Sequence, residues 1–434
     1  MRADAGIGGL SPGWNVASLA SAEHALHEGR GAFGAGWSYR LLLVFLLLLF
    51  ANLPLLFPTV AVLAPAQGVA IAALAALFVE RAVSQRPLRL AWPESHLLLA
   101  FLGAAAVSSF SALWPKHAGE QTLVLLRYVV VYLLVVNTVD SWPRLRRTSN
   151  VLVAGAMFPA LGAIRNYFWT GDLVEGRAGW IGIFENPNDL AYTLVLLLPI
   201  AVATALAARG VWAVFGWCAI AAYTTAIFVT FSRGGFLAFC VVVLLCFLRW
   251  CGPWARLPGL AIAGAAIAVV VSTSWGRMEG FADLLADATL QQRLATVRAG
   301  LEMFVDQPLL GVGLGCSVVG WPLYAPAGAV TEGWLHSHNT IIQVLAETGF
   351  LGGAPFLLMV AIALWKANRL ALPWRKTRRP EIYRAVSALE ISLWGFLACG
   401  LAGGHVLSWF PYLVIGLISA ACILPRPSPQ DLAS

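Results

Sequence analysis

Residues 332–353 read EGWLHSHNTIIQVLAETGFLGG, and the arrangement of polar groups in this stretch decides how the chain is read. Two histidines, an asparagine, a glutamine and a glutamate stand at the mouth of an otherwise apolar segment. Ser337 or Asn339 can cap a helix there, which places His338 at its start. Asn339, Gln343 and Glu347 follow at i, i+4 and i+8 and form one polar stripe. At 1.5 Å per residue, Glu347 lies about 12 Å further along the helix than Asn339. If that helix enters a membrane, a carboxylate at such depth must face the protein interior and be paired or protonated. Gly349, Gly352 and Gly353 then permit close helix packing. A lone histidine at this boundary would be read as an interfacial hydrogen-bonding residue; the stripe beneath it argues for function.

The surrounding chain supplies the membrane. Of 434 residues, 59% are hydrophobic and 11% are charged, and the mean hydropathy is +0.78. Soluble domains carry about 25% charged residues, so this chain cannot cover a water-soluble body. The fold class expected is an all-α, polytopic membrane protein. Twelve spans are predicted, near 41–57, 59–79, 96–113, 120–139, 149–168, 189–208, 211–231, 235–250, 257–275, 339–365, 386–405 and 407–424. Residues 1–40, rich in Gly, Ala and Ser, read as a flexible tail, and 425–434 as a second short tail. Six of the seven cysteines lie in or beside apolar segments, and no Cys or His spacing marks a disulfide framework or a metal site.

The basic residues test the span count. With the N-terminus inside, twenty of the 28 Lys and Arg fall in cytoplasmic segments and seven outside, with Arg127 within a span. Both termini are therefore expected in the cytoplasm. The net charge of +7 follows from this topology and from anionic lipid, and calls for no nucleic acid. Two long loops, 169–188 and 276–338, then fall on the outer face, where loops of that length are usually functional. The expected organisation is tail 1–40, spans one to nine over 41–275, an outer loop over 276–338, spans ten to twelve over 339–424, and tail 425–434.

The long loop reads as helix from Phe281 to Asp306 and ends at Pro308. Leu294, Val297, Leu301, Phe304 and Val305 make an apolar stripe, with Arg293 and Arg298 to either side of it. Such a helix can lie on a leaflet with its arginines at headgroup level. Gly311, Gly313 and Gly315 would allow a ligand to approach the backbone. Arg233 sits in TFSRGGF, where two glycines suggest a tight turn at the outer end of a span. Arg177 and the NPND run at 186–189 belong to the first outer loop, and Asn188 or Asp189 can cap the next span. Arg127, mid-span, needs a partner, water or a snorkelling route. His405 is a weaker candidate near an outer end.

Arginine forks and one histidine at a lipid boundary suit a lipid phosphate or diphosphate. The cations can neutralise a diphosphate leaving group while His338 acts as general base or as an orienting group for an attacking hydroxyl. At this point the sequence resembles a known family. HSHNTIIQVLAETGFLGG, preceded by QRLATVRAGLEMFVDQPLLGVGLG and by FSRGG, is similar to the signature blocks of the O-antigen ligase and polymerase superfamily. The resemblance implies a fold like the polytopic (GT-C-type) glycosyltransferases, and a metal-independent enzyme with no cofactor. It implies an undecaprenyl-diphosphate-linked glycan as donor and lipid A–core as acceptor, joined at the periplasmic face of a bacterial inner membrane, with inversion expected. By the same resemblance His338 is the essential histidine, Arg233 and Arg293 are essential arginines and Arg177 a further donor-binding one. His336, Asn339, Glu347 and Arg298 are the expected supporting residues. O-antigen polymerases and protein O-oligosaccharyltransferases share these blocks and differ in acceptor. A lipid-linked glycan transporter is the rival of another class, but it would call for paired midplane charges and matched broken helices.

Overall fold

The computed structural model describes residues 36–56, 64–252, 288–329, 335, 337–375, 377 and 379–426, with 59, 254, 257, 261 and 264 besides. In chain order its main helices are α1 (Trp37–Ala51), α2 (Pro65–Val83), α3 (Glu94–Ser108), α4 (Pro115–Thr138) and α5 (Trp142–Arg165). A two-stranded hairpin follows, β1 (Leu173–Val174) with β2 (Arg177–Ala178). Next come α6 (Pro187–Ala207), α7 (Val211–Val229), α8 (Arg233–Trp250), α9 (Ala288–Asp306), α10 (Ser317–Tyr324), α11 (Thr340–Trp374), α12 (Pro380–Gly400) and α13 (Phe410–Ile423). Eight described helices are long and apolar enough to cross a membrane, and α1, α3 and α13 are shorter apolar helices. These eleven coincide with eleven of the twelve expected spans. The ninth, 257–275, lies almost wholly outside the described residues, as do most of the expected tails and residues 276–287.

Two boundaries differ from expectation for one physical reason. α5 begins at Trp142 rather than at 149, and α11 runs on to Trp374 rather than ending near 365. Arg and Lys are good helix formers, so the basic flanks Arg144–Arg147 and Lys366–Arg369 continue their helices instead of breaking them. Residues 37–40 likewise join α1, where Ser38 donates its backbone N–H and its hydroxyl to Glu80 of α2.

α6 is the axis of the bundle. Pro187 opens it, Asn186 caps it, and its apolar run Leu194–Ile200 is buried on every side by α5, α7, α8 and α12. α11 packs on α12 and α3, and α9 lies across its first half. The ends of α6 and α12 meet where Arg384 donates to the Leu206 carbonyl at 3.2 Å. Arg249 also meets the buried Glu390 there. The basic flanks of α5, α7, α8 and α12 therefore gather at one end of the bundle. The candidate site lies at the other.

α11 breaks at Gly349, whose backbone sits at φ 58°, ψ −161°. A break in lipid frees polar backbone groups that must find partners inside the protein. Residues 308–313 supply them. Phe350 and Leu351 donate to the Pro308 and Leu309 carbonyls at 2.7 and 3.1 Å, while Val312 and Gly313 donate to Ala346 and Glu347 at 2.9 and 3.0 Å. The glycines of DQPLLGVGLG thus serve the fold: a Cβ on Gly311 would come within 2.5 Å of the Ala346 carbonyl, and one on Gly313 would collide with Ala112. Gly311 brings backbone against the broken helix, while Gly315 lies in the wall of the cavity described below.

Candidate active site

Each candidate side chain is held by an identifiable local device. Phe231, at φ 47°, makes the left-handed turn that ends the α7–α8 connection. Ser232 then caps α8, accepting from Gly235 N at 3.2 Å, and Arg233 is the first residue of the helix. The neighbouring glycines are not the turn that FSRGG suggests. A Cβ on Gly234 would lie 2.6 Å from Tyr192 Oη, and one on Gly235 2.6 Å from Ala191 Cβ, so they let α8 start directly against α6.

Asn188 ties this start to the first loop. It accepts from Ser232 Oγ at 2.8 Å and from Arg177 Nη2 at 2.6 Å, while Arg177 Nε donates to the Thr230 carbonyl at 2.9 Å. The expectation that Asn188 or Asp189 caps α6 is corrected: Asn186 does so, accepting from Asn188 N at 2.9 Å. Asn188 is thereby left to join Arg177 to Ser232.

His338 stands immediately before the α11 cap, Asn339, whose side chain accepts from Ile341 and Ile342 N at 2.9 and 3.1 Å. The 401–409 loop is stitched to the same turn. Thr340 Oγ1 donates to the Gly403 carbonyl at 2.9 Å and accepts from His405 N at 3.0 Å, and Gln343 Oε1 accepts from Val406 N at 3.3 Å. These bonds set His405 edge-on to Tyr192, with ring centroids 4.6 Å apart, and place its Nδ1 3.8 Å from the Asp189 carboxylate. Burial pushes the His405 imidazole down to about 4, and the nearby His338 pushes in the same direction. His405 is accordingly neutral near pH 7.

Arg293 arrives from α9. Small residues let this helix approach α11: Thr296 and Ala299 are buried, and a Cβ on Gly300 would lie 2.6 Å from Ile342 Cγ2 at the start of α11. The apolar stripe faces outward, with Leu294, Leu301 and Val305 exposed, as expected of a helix whose outer side meets lipid. Arg293 lies within electrostatic reach of Tyr192, and its Nε is buried with no hydrogen-bond partner among the described residues. Arg298 is not part of the cluster. It is exposed and pairs with Glu302 one turn on, at 3.1 Å.

Glu347 is fully buried, as its depth requires, but its partners are neutral. Gly315 N, Ser317 Oγ and Gln343 Nε2 donate to it at 2.9, 2.6 and 3.2 Å. It anchors the 311–317 loop to the polar stripe, and the stripe to the 401–409 loop through Gln343. Arg127 is exposed on α4. His336 lies outside the described residues.

A cavity of about 380 Å³ opens beside this cluster, with His405, Tyr192, Asp189, Gln343, His117 and Trp409 in its wall. Two wall atoms, His405 Nε2 and Trp409 Nε1, are buried and have no hydrogen-bond partner among the described residues. Buried polar groups in folded proteins are nearly always satisfied, so a wall of this kind suits a polar ligand. The structure thus brings Arg177, Arg233, Arg293 and His338 into one region, around Tyr192 and His405. Sequence reasoning undervalued His405 and missed Asp189 and Tyr192. The available signals were the glycine pair beside the histidine in AGGH and the i, i+3 spacing that puts Asp189 and Tyr192 on one face of α6.

A multi-pass helical membrane protein with an imidazole-bearing pocket, and arginines gathered near it, at one end of its bundle is the class that fold and site define. Residues 216–357 match the family model described as O-antigen ligase (Wzy_C). That region holds Arg233, Arg293, His338, Glu347 and the break at Gly349. The chain is also similar to the exopolysaccharide production protein ExoQ of Rhizobium meliloti (strain 1021), 24% identical over 276 residues, which cover 59% of this chain and 61% of the relative. The alignment spans about three fifths of that relative's length. Both matches are likenesses to O-antigen ligase superfamily membrane enzymes, over about a third of the chain for the family model and about three fifths for the relative.

Proposed function

We propose that the protein is a metal-independent, inverting glycosyltransferase that moves O-antigen polysaccharide from undecaprenyl diphosphate to lipid A–core at the periplasmic face of the inner membrane. The observation that carries this reading is Arg293 Nε, a buried cationic donor without a partner among the described residues, beside Tyr192 and a cavity wall with unsatisfied polar atoms. A guanidinium whose Nε is in that condition is suited to a phosphate oxygen.

In the proposed reaction a hydroxyl of the acceptor attacks the anomeric carbon of the donor sugar. The bond from that carbon to the phosphate oxygen breaks, and undecaprenyl diphosphate leaves with the electron pair. Arg293 and Arg233 neutralise the charge that develops on it. His338 takes or orients the hydroxyl proton. Arg177 spends Nε and Nη2 on Thr230 and Asn188, so its part is to hold the turn before Arg233 and to add positive charge. Neutral His405, in the cavity wall, positions the sugar or acceptor.

The similarity to an exopolysaccharide production protein favours a second acceptor, a growing glycan, with the same donor chemistry. Purified protein in vesicles, given labelled lipid-diphosphate-linked glycan and lipid A–core in a chelator and without nucleotide, distinguishes the two. Label on lipid A–core supports the ligase, lengthened lipid-linked glycan supports the polymerase, and movement of glycolipid across the vesicle without transfer refutes both.

A further inference from the structure

The end of the bundle opposite the candidate site carries a second cavity, of about 500 Å³. It lies between the start of α5, the end of α6, the turn at 208–210 and the start of α12. Along α6 it is about 22 Å from Tyr192 to Ala207, most of the roughly 30 Å thickness of a bilayer core. The space exists because α6 and α12 present small residues here, Ala203, Ala207 and Ala388 among them. Arg384, bonded to the Leu206 carbonyl, fixes the separation of the two helix ends.

The chemistry of the wall is specific. Arg146, Arg209 and Arg379 line it from three different segments with one carboxylate, Glu381, so the lining carries an excess of positive charge. Asn150 lines the same cavity, and its Oδ1 is buried without a hydrogen-bond partner among the described residues. Trp212 stands in the wall where α7 begins. From there an apolar strip runs up the outside of α7, with Val211 82%, Val214 62% and Trp217 53% exposed. A cationic hollow with an unsatisfied acceptor, continuous with an exposed apolar track, matches a phosphodiester headgroup that carries its own hydroxyl donors and is attached to acyl chains.

We propose that this cavity binds an anionic glycerophospholipid of the phosphatidylglycerol type. Its phosphate meets the three arginines, a headgroup hydroxyl donates to Asn150 Oδ1, and the chains follow α7. The site is separate from the proposed glycosyl transfer and does not depend on it. Arginine forks recognise phosphate oxygens, whereas the choline of a zwitterionic lipid has no hydroxyl to offer Asn150.

The full-length protein in nanodiscs of equal phosphatidylglycerol and phosphatidylcholine provides the test, with bound lipid counted by native mass spectrometry after release. The wild type should retain phosphatidylglycerol about tenfold over phosphatidylcholine, the size of effect expected when a net-negative headgroup meets the arginines without an opposing choline cation and gains the bond to Asn150. In R146Q/R209Q that preference should vanish, with unchanged thermal unfolding showing that the fold is intact. If that variant does not fold, R146K/R209K replaces it, and a clear loss is still expected because the fork geometry is gone. Inorganic phosphate at millimolar concentration should leave the lipid in place. Equal retention of the two lipids by the wild type overturns the proposal, as does undiminished preference in whichever variant folds. Displacement of the lipid by free phosphate would assign the cavity to a soluble anion instead.

Discussion

Replacing His405 by glutamine should remove a pH-dependent weakness from the fold. The imidazole is 13% exposed, stands edge-on to Tyr192 and lies near His338, and its protonation is depressed from the ordinary 6.5 to about 4. Asp189, at 3.8 Å from Nδ1, is beyond hydrogen-bond distance and does not rescue the cation. A histidine held neutral in the fold but free to charge in the unfolded chain favours unfolding as pH falls. Its contribution is whole above pH 6.5 and is lost between 6.5 and about 4. Linkage gives a loss of roughly 2 kcal/mol on going from pH 8 to pH 5. The assay is denaturant unfolding of the purified protein across that range, wild type against H405Q. Other carboxylates and histidines titrate in both proteins, so the difference in slope isolates His405. The wild type should lose about 2 kcal/mol more than the variant over the interval. Parallel curves would show that His405 is solvated or already charged, and the reasoning from burial would be wrong.

Other consequences follow from the same contacts. Glu347→Ala strands three buried donors, Gly315 N, Ser317 Oγ and Gln343 Nε2, and should destabilise the protein by about 3–5 kcal/mol, read as a lowered unfolding midpoint; an unchanged midpoint would show that the loop does not depend on this anchor. Gly349→Ala puts a Cβ into the Leu309 carbonyl at a left-handed backbone position and should cost several kcal/mol, on the order of 3 or more, seen as loss of folded protein on size exclusion. His338→Ala should abolish glycan transfer while unfolding at the wild-type denaturant concentration; a matching loss of stability would assign His338 a structural role.

Much of this was legible in the sequence because hydrophobic length and basic flanks report directly on lipid. Eleven spans and the polar stripe from Asn339 through Gln343 to Glu347 could be read that way. The gathering of Arg293 and His338 is an expectation of the family resemblance, and Gly300 against Ile342 brings the helices that carry them together. What could not be read depends on tertiary contact. Gly349 in ETGFLGG resembles a packing glycine, and its role as a helix break appears only with residues 308–313 laid against it. The contacts of Gly311 and Gly313 with Ala346 and Ala112 were hidden for the same reason. Arg293 and Arg298 were indistinguishable by spacing, since either side of an apolar stripe can turn inward; Gly300 against Ile342 decides it. His405 is a lone histidine in its own segment, and only the bonds from Thr340 and Gln343 bring it to Tyr192.

That difference between the two arginines also gives the most direct test of the proposed donor clamp. Binding of radiolabelled undecaprenyl diphosphate to the purified protein should weaken by about tenfold or more in R293A, the loss expected when a charge-assisted bond to phosphate is removed. It should be unchanged in R298A, whose guanidinium faces outward onto Glu302. Equal affinities for wild type and R293A, or equal losses in the two variants, would contradict the account.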